Sequence, residues 1–397
     1  MGFDVGAVRA AYPALADGYA YLDGAAGTQV PVPVIEAIAA AYRGGLGNTG
    51  GQFPASARSQ DLTDQCRAAF AALTGGQPDG VILGPSMTAL TYRLAGTLAR
   101  NWRPGDEVIV SRLDHDANVR PWVQTAERAG AVVRWAEPDL VTGELPAAQY
   151  AELLSPRTRL VAVTAASNII GTRPDVPAIT AAARAAGALS YVDGVHATPH
   201  GPTDMVALGA DFYATSAYKW SGPHLAGVVA DPALLATLHP DKLAPAPAEP
   251  PDCFERGTLP FADLAGAAAA VEHLAAPGAG GLRERVLAGM TAIAAYEQKL
   301  FAVLLGGLEA MEHVTTYGKA ASRTPTAFFN VHGQTPEEVA AHMARRRINV
   351  WNGDNYAWEL AGVLGIRDSG SAVRAGLVHY NDPSDVDRLL TAVAELA

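Results

Sequence analysis

The sequence predicts an α/β protein, with a large unit built on an open, mostly parallel sheet and a smaller α+β unit. Three observations predict it. From about residue 65 to 230, short apolar runs alternate with helical patterns, as in strands joined through crossover helices. Beyond residue 260, long helical patterns lead into a final stretch that mixes short strands with helices. The chain has 397 residues, more than one simple core holds, and 49% of them are apolar. The large unit is expected over residues 16–285, and the small one over 1–15 together with 286–397.

The elements follow in order. Val81-Ile-Leu83 is an apolar run that gives way to Gly84-Pro85-Ser86, after which a helical pattern runs from Met87 to Asn101. The turn Arg103-Pro-Gly-Asp106 leads into a strand at Glu107–Val110. A helix ending at Gly130 precedes a strand at Val132–Trp135, and Leu160–Thr164 is the next. An Ala-rich helix ending at Gly187 leads into Ala188–Asp193; Asp211–Thr215 and Ala226–Val229 close the series. Pro240–Pro251, rich in Pro and Ala, reads as an extended excursion. Helices are expected over Phe261–Leu274 and Leu282–Leu305. The small unit should add strands at Thr326–Val331 and Ala372–Leu377, and helices at Pro336–Arg346 and Ser384–Leu396.

Composition excludes several functions. The formal net charge is −11, and the richest basic run, Arg345-Arg346-Arg347, suits a helix end better than a nucleic-acid surface. Cys66 and Cys253 lie far apart, and no Cys/His spacing suits a metal, so neither a disulfide framework nor a metal site is expected. Met1–Leu15 lacks the basic and apolar blocks of a signal peptide, and no apolar stretch is long enough to span a membrane. The expectation is a soluble, cytoplasmic protein with no membrane or nucleic-acid partner.

In open α/β sheets, ligands sit beyond the carboxyl ends of the strands. Four such ends carry chemistry: Gly84–Thr88, Leu113–His115, Asp193–His196 and Ser216–Lys219. Lysine is rare, with only Lys219, Lys242, Lys299 and Lys319, and only Lys219 directly follows an expected buried strand. Desolvation there lowers an amine's pKa and makes it available for a Schiff base. Alone, Lys219 reads equally well as a lysine reaching solvent from a sheet edge. Asp193 shifts the balance. It ends an apolar strand, where a carboxylate needs a strong partner, and a protonated pyridine nitrogen is one; the plainer alternative is a helix cap. The two together favour pyridoxal phosphate (PLP) held on Lys219. Ser86, Met87 and Thr88 open a helix whose N–H groups and hydroxyls suit a phosphate, although Ser and Thr are also ordinary caps. Neither a Gly-x-Gly-x-x-Gly nor a Walker loop is present.

Further stretches keep a recognisable order: Tyr21–Ala26, Asp114–Asn118 with Pro121-Trp122, Ser167–Gly171, Val192–His196, Leu208–Phe212, Ser216–Pro223, Phe254–Thr258 and Val373–Leu377. The ordered set resembles the class V aminotransferase family of fold type I PLP enzymes, especially its cysteine desulfurase-like branch. The resemblance implies roles for residues at matching positions. His115 would stack on the pyridine ring, Asp193 would hold its nitrogen, and Lys219 would bind the cofactor and act as base. Asn168 would lie near the cofactor's phenolic oxygen and the substrate carboxylate, and His196 would replace a glutamine that bonds that oxygen. Ser216 and Tyr218 would sit at or near the phosphate. Thr258 would reach the phosphate of a neighbouring subunit, implying a homodimer with shared sites. Arg374 would take the α-carboxylate through a two-pronged pair. Ala26 would also line the substrate site.

One departure stands out. Where desulfurases carry a mobile-loop cysteine that accepts sulfur, the stretch Ile348–Ala357 has Tyr356, with Trp351 at an arginine position. Tyr356, Trp351 and Trp358 would either line an aromatic mouth or pack the small unit. The leading expectation is therefore an α-amino-acid enzyme performing β-elimination or C–S bond cleavage without the persulfide cysteine. The alternatives are an aminotransferase or amino-acid epimerase of specialised metabolism and, from another class, a non-catalytic binding protein of the same fold.

Overall fold

The computed structural model describes residues 3–397, so residues 1 and 2 of the expected small unit lie outside it. Its main sheet has seven strands in the order Val81–Gly84, Ala226–Ala230, Phe212–Ser216, Leu189–Asp193, Thr158–Thr164, Glu107–Ser111 and Val132–Ala136. Ala226–Ala230 runs antiparallel to both neighbours and the other pairings are parallel. Helices cover both faces, so strands such as Val81–Gly84 and Phe212–Ser216 are buried along their whole length. This explains why they read as continuous apolar runs rather than alternating ones.

The expected elements appear with small changes at their ends. The helix from Met87 ends at Leu98 and tightens into a 3-10 turn, Ala99–Asn101. The helix before Gly130 is Arg120–Ala129, stopped by Gly130 in the left-handed conformation. Pro240–Pro251 contains neither helix nor strand. The helices Val32–Gly44 and Pro54–Thr74, the second running into the start of the expected series, both pack on Phe261–Leu274.

A second, antiparallel sheet orders Trp351–Gly353, Ala372–Gly376, Thr326–Val331 and Val314–Tyr317. Its core gathers Phe329, Val373, Leu304, Leu308 and Leu389. Ala20 and Leu22 join this core, although they fall within the 16–285 span expected for the large unit; Ala20–Tyr21 pairs with Ile348–Asn349. The helix Leu282–Glu309 serves both units. Val286, Met290 and Ile293 pack in the large core, and Leu300, Leu304 and Leu308 in the small one. No helix among the described residues is long and apolar enough to cross a membrane.

Every strand of the main sheet except Ala226–Ala230 points its carboxyl end to the same edge, which is where the chemistry-bearing residues gather. Gly194 turns the chain directly after Asp193. A Cβ there would fall 2.0 Å from Cζ of buried Tyr213, whose hydroxyl is bonded to Thr198 at 3.0 Å. Gly194→Ala is expected to destabilise the fold by about 1–3 kcal/mol through overpacking. Urea unfolding reads this, and an unchanged midpoint would show that the strand end yields freely.

Candidate active site

The strand ends enclose an inner pocket lined by Ser86, Met87, Thr88, His115, Asn168, Asp193, His196, Ser216, Tyr218 and Lys219, with Ala117, Thr164, Ala166 and Val195. It opens beside an outer cavity of about 960 Å³ lined by Ala25, Ala26, Thr88, Tyr92, His115, Arg120, Gln124, Asn168, Lys219, Trp351, Tyr356 and Arg374, among others. Thr88, His115, Ala117, Asn168, Tyr218 and Lys219 line both spaces.

His115 is held by the turn around it. Asp114 is buried, accepts a hydrogen bond from Asn118 Nδ2 at 2.6 Å and another from the Ser111 hydroxyl. Asn118 Oδ1 in turn accepts from the Trp122 indole at 3.1 Å. Burial pushes the Asp114 carboxyl up to about 8. His115 Nδ1 accepts the Ala117 N–H at 3.0 Å, so the proton of the neutral ring belongs on Nε2. Burial, then the charges of Lys219 and Arg374, lower its pKa to about 3.

Lys219 and Asp193 are 5% and 4% exposed. Burial pulls the lysine below its usual value and Arg374 adds to this, while Asp193 opposes it. Burial raises Asp193, against a hydrogen bond from the Val195 N–H at 2.9 Å and the nearby lysine charge. A neutral amine thus becomes accessible near neutral pH. Asn168 Oδ1 and His196 Nδ1 are buried without a protein hydrogen-bond partner, while His196 Nε2 meets Thr326 Oγ1 at 2.9 Å. A carboxylate, an amine, two unpartnered polar atoms and a helix N-terminus around one slot suit a flat, aromatic, phosphorylated cofactor.

The small unit closes the outer side. Arg374 is buried, lies on Ala372–Gly376, and donates to Asn168 O at 3.0 Å; burial lowers it to about 10, so it stays charged. Trp351 sits opposite it in the adjoining strand. Tyr356 is 72% exposed and its ring stacks on His115 with centroids 5.4 Å apart. Trp351 and Tyr356 line the cavity; Trp358 does not, and carries the Arg367 guanidinium over its ring. None of the three is buried in the small core.

The structure thus brings all but one of the expected site residues together. Thr258 is exposed and lines neither space. Cys66 and Cys253 are buried and line neither. Among the described residues no cluster of potential metal ligands occurs. Tyr92, Arg120, Gln124 and Asn355 were not anticipated. They reach the cavity from helix faces or a loop whose sequence carries no pattern of its own.

Comparisons place this geometry among known proteins. A family model described as aminotransferase class-V matches residues 20–389. An uncharacterised protein of Mycobacterium tuberculosis is 36% identical, with 100% of each chain covered. A probable cysteine desulfurase of Pseudomonas putida is 32% identical, covering 97% of this chain and 96% of that one. The cysteine desulfurase CsdA of Escherichia coli superposes with a TM-score of 0.87 at 26% identity, covering 100% of this chain and 99% of the other.

The lowered pKa of His115 favours the neutral ring, so protonation is deferred to about 3. An unperturbed histidine would titrate near about 6.5. NMR of the imidazole nitrogens should therefore show no His115 titration between about pH 5 and 8. A midpoint in that window, lost in His115→Gln, would contradict the burial described.

Proposed function

The chain belongs to the class-V aminotransferase family of pyridoxal-phosphate enzymes, and on that premise we propose that it cleaves a β-substituent, foremost a C–S bond, from an α-amino acid without a persulfide cysteine. One observation carries this reading. No cysteine lines either part of the site, and Tyr356 occupies the arm where sulfur transfer would need a thiol.

PLP, when bound, supplies an electron sink for charge developing at the substrate Cα. In this reading Lys219 anchors the cofactor through Nζ, and Asp193 holds its pyridine nitrogen protonated. His115 stacks on the ring. His196 Nδ1 would donate to its phenolic oxygen once Nε2 accepts from the Thr326 hydroxyl, and Asn168, whose unpartnered Oδ1 can only accept, would lie beside that oxygen and the substrate. Ser86, Met87 and Thr88 at the helix start, with Ser216 and Tyr218, hold the phosphate. Arg374 orients the substrate carboxylate, with Asn168, Ala26 and Tyr356 around it. Once the substrate's amino group has displaced Lys219 Nζ from the cofactor, the freed amine would take the Cα proton, which its lowered pKa permits near neutral pH. With no thiol to receive sulfur, the Cβ substituent leaves with its electron pair. The same reading makes the protein cytoplasmic and homodimeric, with Thr258 of each copy serving the other's site.

Product analysis tests it. Cysteine plus water should give pyruvate, ammonia and hydrogen sulfide, and a cysteine S-conjugate plus water should give pyruvate, ammonia and the free thiol. Alanine with persulfide would indicate desulfuration, keto-acid-dependent amino transfer an aminotransferase, and α-carbon inversion without loss of the side chain an epimerase. Each of those would displace the lyase reading. Lys219→Ala should lose the yellow, borohydride-sensitive band of the wild type and all turnover. Arg374→Lys should keep the band but lower kcat/KM about 10-fold or more, since an ammonium cannot reproduce the two-pronged pair. An unchanged kcat/KM would place the carboxylate elsewhere.

A further inference from the structure

We propose that Tyr356 is a positioning residue that acts on the cofactor pocket through His115, and that Glu359 clamps it there. This rests on the PLP reading above. His115 lines both the inner pocket and the outer cavity, whereas Tyr356 lines the outer cavity alone. The imidazole is thus one of the side chains shared by the two spaces, and the phenol ring packs against it, 5.4 Å away and tilted by 27°. The phenol covers one face of the imidazole; in the PLP reading the other would meet the cofactor ring.

The arm that carries Tyr356 is fixed to the same turn as His115. Asp116, next to His115, donates its N–H to Tyr356 O at 2.7 Å. Asn168 Nδ2 donates to Asn355 O at 2.8 Å, and Asp354 accepts the Tyr356 N–H at 2.9 Å. Asn355 and Tyr356 both hold left-handed backbone, with φ of 49° and 61°. A bulky aromatic adopts that conformation only where its surroundings impose it. The imposing contact lies one turn further on. Glu359 opens the helix Trp358–Val363 and receives Arg112 at 2.5 Å and also Arg120, the arginines that bracket the His115 turn. Each is anchored again: Arg112 by Glu137 at 2.8 Å and by the face of Trp135, Arg120 by Asp116 at 2.9 Å. The Glu359 side chain is 13% exposed, so solvent screens the pair only in part.

Such an arm is a fixed wall rather than a carrier that swings. The Tyr356 hydroxyl has no part in this role; the ring face does. The expected behaviour of variants follows, read on cofactor-loaded protein by the dissociation constant for PLP and by the circular dichroism of the visible band. Tyr356→Ala should weaken PLP binding about 3- to 10-fold, the worth of one aromatic stack, and diminish the dichroic band. Tyr356→Phe should restore both. Glu359→Gln should shift them in the direction of Tyr356→Ala and speed amide exchange of residues 354–359 about 10-fold. Wild-type binding and dichroism in Tyr356→Ala would overturn the proposal. So would a Tyr356→Phe variant as impaired as Tyr356→Ala, which would make the hydroxyl the working group. If the wild type took up no PLP, the cofactor reading itself would fail. The exchange comparison would then decide the clamp alone, and equal rates in wild type and Glu359→Gln would refute it.

Discussion

Two opposite charges taken out of water at one sheet edge set the terms for everything around them. Lys219 and Asp193 are each nearly inaccessible, and burying either ion costs several kcal/mol before any compensation. Mutual attraction offsets part of this, and the Val195 N–H a further part. The remainder appears as the depressed lysine and raised carboxyl pKa values, that is, as a tendency to give up both charges. A fold gains nothing in stability from such a pair that apolar side chains would not supply. Its value lies in chemistry: a nucleophilic amine near neutral pH and an acid that becomes a strong partner once a cation is placed against it.

The surroundings follow from that requirement. The parallel register that sets Thr164, Asp193 and Ala214 abreast brings the strand ends to one depth, so the loops after them meet over one slot. The His115 turn is braced from below by buried Asp114, Asn118 and Trp122. Residues 114, 118 and 122 thus serve the site without touching it. The small unit supplies the other wall. Its strand Ala372–Gly376 carries Arg374 to the pocket, and the helix Trp358–Val363, whose Leu360 packs in the large core, is held to Arg112 and Arg120.

How far this was legible in the sequence depended on whether the information was local. The main sheet was readable because its strands are fully buried apolar runs punctuated by Gly and Pro, as at Gly84-Pro85 and Gly130. Lys219 and Asp193 were readable because a charged residue ending such a run contradicts its pattern. Ser86 was readable as a helix opener, and its hydroxyl does cap Ala89 N–H at 3.1 Å. The unit boundary was not readable, since Leu282–Glu309 passes through both cores with one continuous helical pattern and no break at residue 285. Ala20 and Leu22 were assigned to the large unit because nothing near them signals pairing with residues some 330 positions away. Glu359 was invisible for the same reason: its partners Arg112 and Arg120 lie 247 and 239 positions away.

Tyr356 shows where sequence and structure differ in kind. By position it reads as a substitution, an aromatic where a relative of this branch would carry a thiol, and that reading yields only a missing activity. In three dimensions the same residue has a definite set of neighbours: an imidazole under its ring, a backbone donor on its carbonyl, and a clamped helix after it. A carrier thiol must leave the reacting centre with its cargo, which needs an arm of low local stability. An arm tied at Asp116, Asn168, Arg112 and Arg120 has the opposite property. The absence of a thiol here and the presence of the clamp are thus consistent with the proposed reading: if nothing need be carried out of the site, rigidity in this segment would not oppose turnover and would help to hold His115 in place.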